Sequence, residues 1–173
     1  MKIIVDSREQ LAFTFSGRRY AETAIEVGTL DTGDYSLAGL TDKVAVERKS
    51  LADLVACLGH GRERFEKELQ RAAALESFAV VVEEAWADLA MGNYRSQLNP
   101  HSACQSVLAL MARHRIPFLF AGSRSLAEYA TWGLLKQYLE GAHKRLNNIV
   151  KAHGEACKQQ GLNRKPNEAA VEL

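Results

Sequence analysis

Three short apolar runs, Lys2 to Val5, Phe78 to Val82 and Ile116 to Phe120, and an alternating run, Lys43 to Lys49, are joined from Ser50 onward by segments with helical periodicity. That alternation is the strongest constraint on how this chain can fold. Short runs rich in β-branched residues suit buried strands, and the helices between them cover the sheet faces. The pattern predicts an α/β layered domain with a mixed central sheet. Ala24 to Val27 and Tyr35 to Leu37 are weaker strand candidates around the turn Asp31-Thr32-Gly33-Asp34. Ser50-Leu51-Ala52-Asp53 has the form of a capping box and opens a helix with Leu51, Leu54, Val55 and Leu58 on one face. Gly59 and Gly61 interrupt it before Arg62 to Arg71 resume helical character. Asn99-Pro100 predicts an N-cap with proline in the first helical position, starting a helix that runs to about Arg113. A last helix is expected from Ser125, with Glu128 completing another capping box. Its broad apolar face holds Leu126, Tyr129, Trp132, Leu135, Tyr138, Leu139, Ala142 and Leu146. The apolar pattern fades after Val150, so a domain is expected over residues 1–150, with a helical extension and flexible tail over 151–173.

The 173 residues suffice for one ordinary domain, and 47% hydrophobic with 25% charged residues supports a globular core. These values exclude a disordered chain, a collagen-like repeat and a disulfide scaffold. No apolar stretch is long enough to span a membrane, and the N-terminus turns polar at Asp6, too early for a signal peptide. Cys57, Cys104 and Cys157 are few, odd in number and widely spaced, which fits free thiols in a reducing cytoplasm. The formal charge of +1 does not announce a polyanionic partner, so any such partner must be read from local patterning.

The informative region is Gly33-Asp34 followed by Glu47-Arg48-Lys49. Alternation along a strand sends Glu47 and Lys49 to one face and Arg48 to the other. Asp34 follows a turn, where a strand edge can bring its carboxylate beside Glu47. Two carboxylates and a lysine on one face suit metal-assisted phosphodiester hydrolysis. The carboxylates would hold a hard cation such as Mg²⁺, which polarises phosphate and lowers the pKa of bound water. Lys49 would orient the attacking water, help deprotonate it, or steady developing charge. The bland alternative is an exposed strand bearing a Glu-x-Lys ion pair.

Val5-Asp6-Ser7-Arg8-Glu9 adds three charged side chains at the end of the first strand, where open α/β sheets place their sites. Together with Gly33-Asp34-Tyr35, Glu47-Arg48-Lys49-Ser50 and Asp53, this resembles the XPF/MUS81 (ERCC4-type) family of structure-specific DNA endonucleases. The family signature is Gly-Asp, then Glu-Arg-Lys, three residues and Asp, and it is complete here. Gly61-Arg62-Glu63-Arg64-Phe65 is similar to the family's Gly-Arg-Phe helix, with an inexact alignment. Val80-Val81-Val82-Glu83-Glu84 and Arg115-Ile116-Pro117-Phe118 resemble its next strands. The likeness covers about Ile3 to Leu146.

The resemblance implies a restriction-endonuclease-like α/β core and a divalent-metal-dependent DNA endonuclease acting on branched or flap-like DNA in repair or recombination. It implies Asp34 and Glu47 as metal ligands, Asp6 and Glu9 as further acidic members, and Mg²⁺ as cofactor with Mn²⁺ able to substitute. Lys49 becomes the catalytic lysine, while Arg8 and Arg48 orient groups or face phosphate; Arg62 and Arg64 are candidate DNA contacts. It further implies a homodimer through the C-terminal helices. Only about two dozen residues follow Val150, too few for the tandem helix-hairpin-helix modules usual in the family, so a stand-alone nuclease is expected.

Several alternatives stay open at this level. An inactive nuclease-fold subunit that binds DNA or supports a partner is the competing class, and nothing in the sequence separates DNA from RNA as substrate. Asp34 can cap its turn, Asp6 can pair with Arg8, and Arg48 can orient backbone rather than touch substrate. Asp53 is better explained as part of the helix cap than as a catalytic group. The basic stretch from Lys136 suits either phosphate contacts or a plain solvated surface.

Overall fold

The computed structural model describes residues 1–161, with side chains described through His153. The chain divides into two units, Met1–Tyr138 and Leu139–Leu173. The sheet and every candidate site residue lie in the first. Of the second, the structure describes continuous helix as far as Gly161, on which Leu146, Ile149 and Val150 are exposed. The tail expected at the C-terminus lies outside the described residues.

Strands β1 (Lys2–Asp6), β2 (Ala24–Gly28), β3 (Tyr35–Leu37), β4 (Val44–Lys49), β5 (Ser77–Val82) and β6 (Phe118–Phe120) form one sheet in the order β2-β1-β3-β4-β5-β6. β1 runs parallel to β2 and antiparallel to β3, β3 is antiparallel to β4, and β4, β5 and β6 are mutually parallel neighbours. The sheet is mixed, and with its flanking helices it has the expected layered α/β architecture. The central strand β5 is apolar on both faces because both are covered: every residue from Phe78 to Val82 is buried.

On one face, helices α1 (Leu51–Leu58), α2 (Arg62–Ala72) and α4 (Pro100–His114) close over Ala45, Phe78, Val80 and Val82. Leu54, Leu69, Leu89, Val107 and Leu110 fill this core, each at most 1% exposed. Against the other face lies an aromatic group in which Phe13 stacks on Tyr35 at 5.2 Å between centroids and Phe15 meets it edge-on at 5.8 Å. Tyr20 packs edge-on against Trp132 of α5 (Arg124–Gly161) at 5.6 Å.

Five local expectations are corrected. α5 starts at Arg124, not Ser125, and Ser123 serves its first turn through Leu126 N at 3.3 Å. Glu128 makes no capping box; it accepts from Phe15 N at 2.6 Å, a tertiary contact that a local motif cannot foresee. The stripe of α5 that packs inward contains the buried Ala127, Thr131 and Leu135, leaving Leu126 and Tyr129 largely exposed. β6 is shorter than expected because Arg115 closes α4 in the left-handed region (φ +58°) and Pro117 has no N–H for a ladder. Helix α3 (Trp86–Met91) was not expected, although Asp88 accepting from Ala85 N and the left-handed Gly92 are helix-end signals.

Candidate active site

The β3–β4 register creates the centre of the site. Tyr35 pairs with Val46 and Ser36 with Ala45; continuing that ladder by one residue sets Asp34 opposite Glu47. The backbone closes this step, since Asp34 N donates to Val46 O at 2.9 Å. The Asp34 carboxylate then accepts from Arg48 N at 2.7 Å, so a side chain extends the strand pairing. Gly33 is required before it. Its φ is +82°, and a Cβ would lie 2.9 Å from Ala45 Cβ and 3.2 Å from Val46 O. The Gly-Asp pair is therefore a geometric unit: glycine allows the close approach and aspartate completes the ladder.

Parity along β4 separates its three charged residues. Glu47 and Lys49 lie on the side of Ala45, toward α1 and α2, where Lys49 Nζ pairs with Glu47 and stands 5.2 Å from the Phe65 ring centroid. Arg48 lies on the other side. Its Nε donates to Glu83 at 2.8 Å and its Nη1 is 3.5 Å from Glu9, with only 8% of the side chain exposed. Glu83 also pairs with Arg124, whose other nitrogen donates to the Leu11 and Ala12 carbonyls. Arg48 thus does not converge on Asp34 and Glu47 through its guanidinium; it ties the end of β4 to the loop after β1 and the start of α5.

A cavity of about 550 Å³ opens over this centre, lined by Glu9, Asp34, Glu47, Lys49, Asp53 and Arg64 among others. A second, of about 260 Å³, shares Glu9, Asp34, Glu47 and Arg64 and adds Glu68 and Arg71. Burial pushes the Asp34 carboxyl up to about 6, although the Arg48 N–H pulls the other way. Glu47 is raised further, first by burial and then by the Asp34 charge beside it. Burial lowers Lys49, but Glu47 and Glu68 more than offset that and hold its ammonium above the ordinary range. The site is short of positive charge: two adjacent buried carboxylates share one lysine.

The remaining expected residues separate into two groups. Asp6 is 3% exposed and has both oxygens committed: Oδ1 accepts from Arg8 N and Nε at 2.8 and 2.7 Å, and Oδ2 from Arg8 Nη2 and Leu30 N at 2.9 and 2.8 Å. The Arg8 hydrogen bond comes first in holding its carboxyl down at about 2. Asp6 and Arg8 therefore organise the loops after β1 and β2, and the expectation of Asp6 as a metal ligand does not fit a carboxylate already filled by donors. Glu9 fits better, lining both cavities while it accepts from Leu11 N at 2.6 Å. Asp53 lines the larger cavity and also completes the α1 cap, with Ser50 Oγ 2.7 Å from its carboxylate and 3.1 Å from its N–H. Arg64 faces the cavities, whereas Arg62 turns to α4, pairing with Glu66 at 3.0 Å and reaching Ser106 at 3.3 Å. Glu68 was missed as a site residue. The signal was its i+4 spacing from Arg64, which places both on one face of α2.

A hard divalent cation is chemically suited to this donor set. Asp34 and Glu47 are oxygen donors whose charged forms are disfavoured by burial, and a cation would relieve that. Among the described residues, no group of three acidic, histidine or cysteine side chains forms a chelating cluster. Mg²⁺ is commonly held by one or two carboxylates with water and substrate phosphate, so the pair is sufficient. Cys57 and His60 also line the larger cavity, but among the described residues they form no three-donor cluster with the acidic side chains.

Residues 5–132 match the ERCC4 domain family. Among solved structures, the chain is similar to XPF from Aeropyrum pernix, with TM-score 0.64 and 22% identity over 87% of this chain and 69% of that one. It is also similar to XPF from Aeropyrum pernix in complex with DNA, with TM-score 0.63 and 21% identity over 81% of this chain and 66% of that one. At such identities the likeness concerns the fold. No curated protein matches the sequence.

Proposed function

The chain belongs to the ERCC4 domain family, and from that premise we propose that it is a divalent-metal-dependent DNA endonuclease. The observation that carries this reading is the placement of Asp34 opposite Glu47, both half or fully buried in one cavity, with Lys49 paired to Glu47. Such a pair is costly to a fold unless something cationic uses it.

In this reading Asp34 and Glu47 hold Mg²⁺, with Mn²⁺ as a substitute. The ion, when bound, polarises the scissile phosphate and makes hydroxide available from water near neutral pH. Lys49 contributes a fixed positive charge beside Glu47, placed to steady negative charge that develops on the phosphate oxygens. Glu9 completes the acidic wall of the cavity, and Arg64 supplies a phosphate contact at its mouth. Arg48 acts as a positioning residue: its N–H orients Asp34 while its guanidinium fixes the strand end through Glu83. Asp6 N donates to the Asp34 main-chain carbonyl at 2.8 Å, which fixes the backbone that carries the Asp34 carboxylate, and Arg8 in turn holds Asp6.

The substrate proposed is branched or flap-like DNA, as in repair or recombination. The exposed Leu126, Tyr129 and Leu134 of α5 support a proposed homodimer, to be checked by light scattering.

The test is cleavage of labelled flap, fork, nicked, single-stranded and linear duplex DNA with Mg²⁺ or Mn²⁺. The native protein and a folded Asp34→Ala/Glu47→Ala variant are run side by side. Metal-dependent cutting by the native protein alone is expected. Equal DNA binding by both proteins with no cutting of any substrate would refute the enzyme reading and favour a binding subunit.

A further inference from the structure

The candidate active site lies in the middle of a longer trough. The larger cavity shares Glu9, Asp34, Glu47 and Arg64 with the cavity on its α2 side. On its other side it shares Ala56 and His60 with a third cavity of about 140 Å³, walled by the end of α1 and the segment Tyr94-Arg95-Ser96. The three hollows thus adjoin in a row, with the carboxylate pair between its two ends.

Charge differs between the centre and those ends. The centre is acidic and recessed, with Glu47 at 6% exposure. At the α1 end stand Arg95 and His60, both exposed. At the α2 end stand Arg64 and Arg71, exposed and two turns apart on one helix face. Among the described residues none of these three arginines makes an ion pair, unlike Arg8, Arg48, Arg62, Arg113 and Arg124, which all do. Asp31 and Glu68 also border the α2 end, so its field is mixed, while no acidic side chain lines the α1 end. His60 sits between Gly59 and Gly61, and a Cβ at Gly61 would lie 3.2 Å from Ala56 O, so glycine there lets the chain turn closely over the end of α1.

Unpaired cations on both sides of an acidic centre suit a polyanion that crosses it, with one phosphate at the carboxylates and its neighbours on the arginines. We propose that a single DNA strand lies along this trough, with the backbone on one side of the cut held by Arg95 and His60 over the end of α1, and on the other side by Arg64 and Arg71. This rests on the nuclease reading and adds the path of the strand. Arg95 is the informative residue, because it lies in a segment outside the family signature and outside the carboxylate cavity.

The test is binding of a fluorescent single-stranded oligonucleotide and a flap substrate, followed by anisotropy in chelator so that no cutting intervenes. Arg95→Glu is expected to weaken binding about tenfold and Arg95→Ala to lower the salt slope by about 0.7, the value for one single-strand phosphate contact. Arg95→Lys should keep most of the affinity. Thermal midpoints should stay unchanged, since Arg95 makes no ion pair among the described residues, and Lys2→Glu, at the start of β1 beside the edge strand β2, should bind as the native protein does. Native affinity and salt slope in Arg95→Glu, with the native protein binding and cutting DNA, would overturn the strand path alone. A native protein that neither binds nor cuts DNA would overturn the nuclease reading and the path with it.

Discussion

Replacing Asp34 by asparagine should make the metal-free protein more stable at neutral pH. The Asp34 carboxyl sits at about 6 instead of 3.8, chiefly because it is buried. Between about pH 4 and 6 the folded state therefore binds more protons than the unfolded chain, so stability falls as pH rises through that window and stays low above it. A displacement of this size corresponds to about 3 kcal/mol without screening. Solvent screening through the open mouth of the cavity reduces the expectation to about 1–2 kcal/mol, or about 3–6 °C in thermal midpoint. Asparagine keeps an oxygen that can accept from Arg48 N, so the ladder extension survives while the charge is lost. The assay is urea denaturation of both proteins in chelator at intervals from pH 4 to 8. The variant should be the more stable at pH 7, and the gap should close toward pH 4, where both side chains are neutral. A variant less stable at pH 7, or a gap that does not change with pH, would refute the reasoning.

Other perturbations reach neighbouring parts of the same site. Gly33→Ala must place a Cβ 2.9 Å from Ala45 Cβ at a φ of +82°, and should lower stability by roughly 1–3 kcal/mol in denaturant titrations while reducing cleavage. Lys49→Met leaves Glu47 buried without its cation and should destabilise by about 3 kcal/mol; adding Glu47→Gln should restore most of that, a coupling readable in a double-mutant cycle. Asp6→Asn should cost about 1–2 kcal/mol at pH 7, discounted because Arg8 is largely exposed. Because the Asp6 carboxyl is held down at about 2, the native advantage should be complete above about pH 4 and vanish as pH falls toward 2, which acid titration by circular dichroism would follow.

What the sequence determined by itself is local. The strand runs, the Ser50 cap of α1, the break at Gly59 to Gly61 and the Asn99-Pro100 start of α4 were all legible, because each depends on periodicity or capping within a few residues. The same holds for the opposite facing of Glu47 and Arg48, a consequence of strand pleat. Tertiary structure decided which charges meet. The β3–β4 register sets Asp34 opposite Glu47, and the placement of α2 brings in Glu68, whose i+4 spacing from Arg64 gave its helix face and not its neighbours. Crossovers decided that Arg48 finds Glu83, that Arg62 reaches Ser106 and that Leu30 completes the donors around Asp6, whereas the Arg62–Glu66 and Asp6–Arg8 pairs are local in sequence. Glu128 belongs here too, since its partner Phe15 is distant in sequence and took it from the cap it resembled. Local order follows from backbone geometry shared by any chain with that pattern. Partner choice follows from register and packing, which unite atoms that the sequence holds far apart.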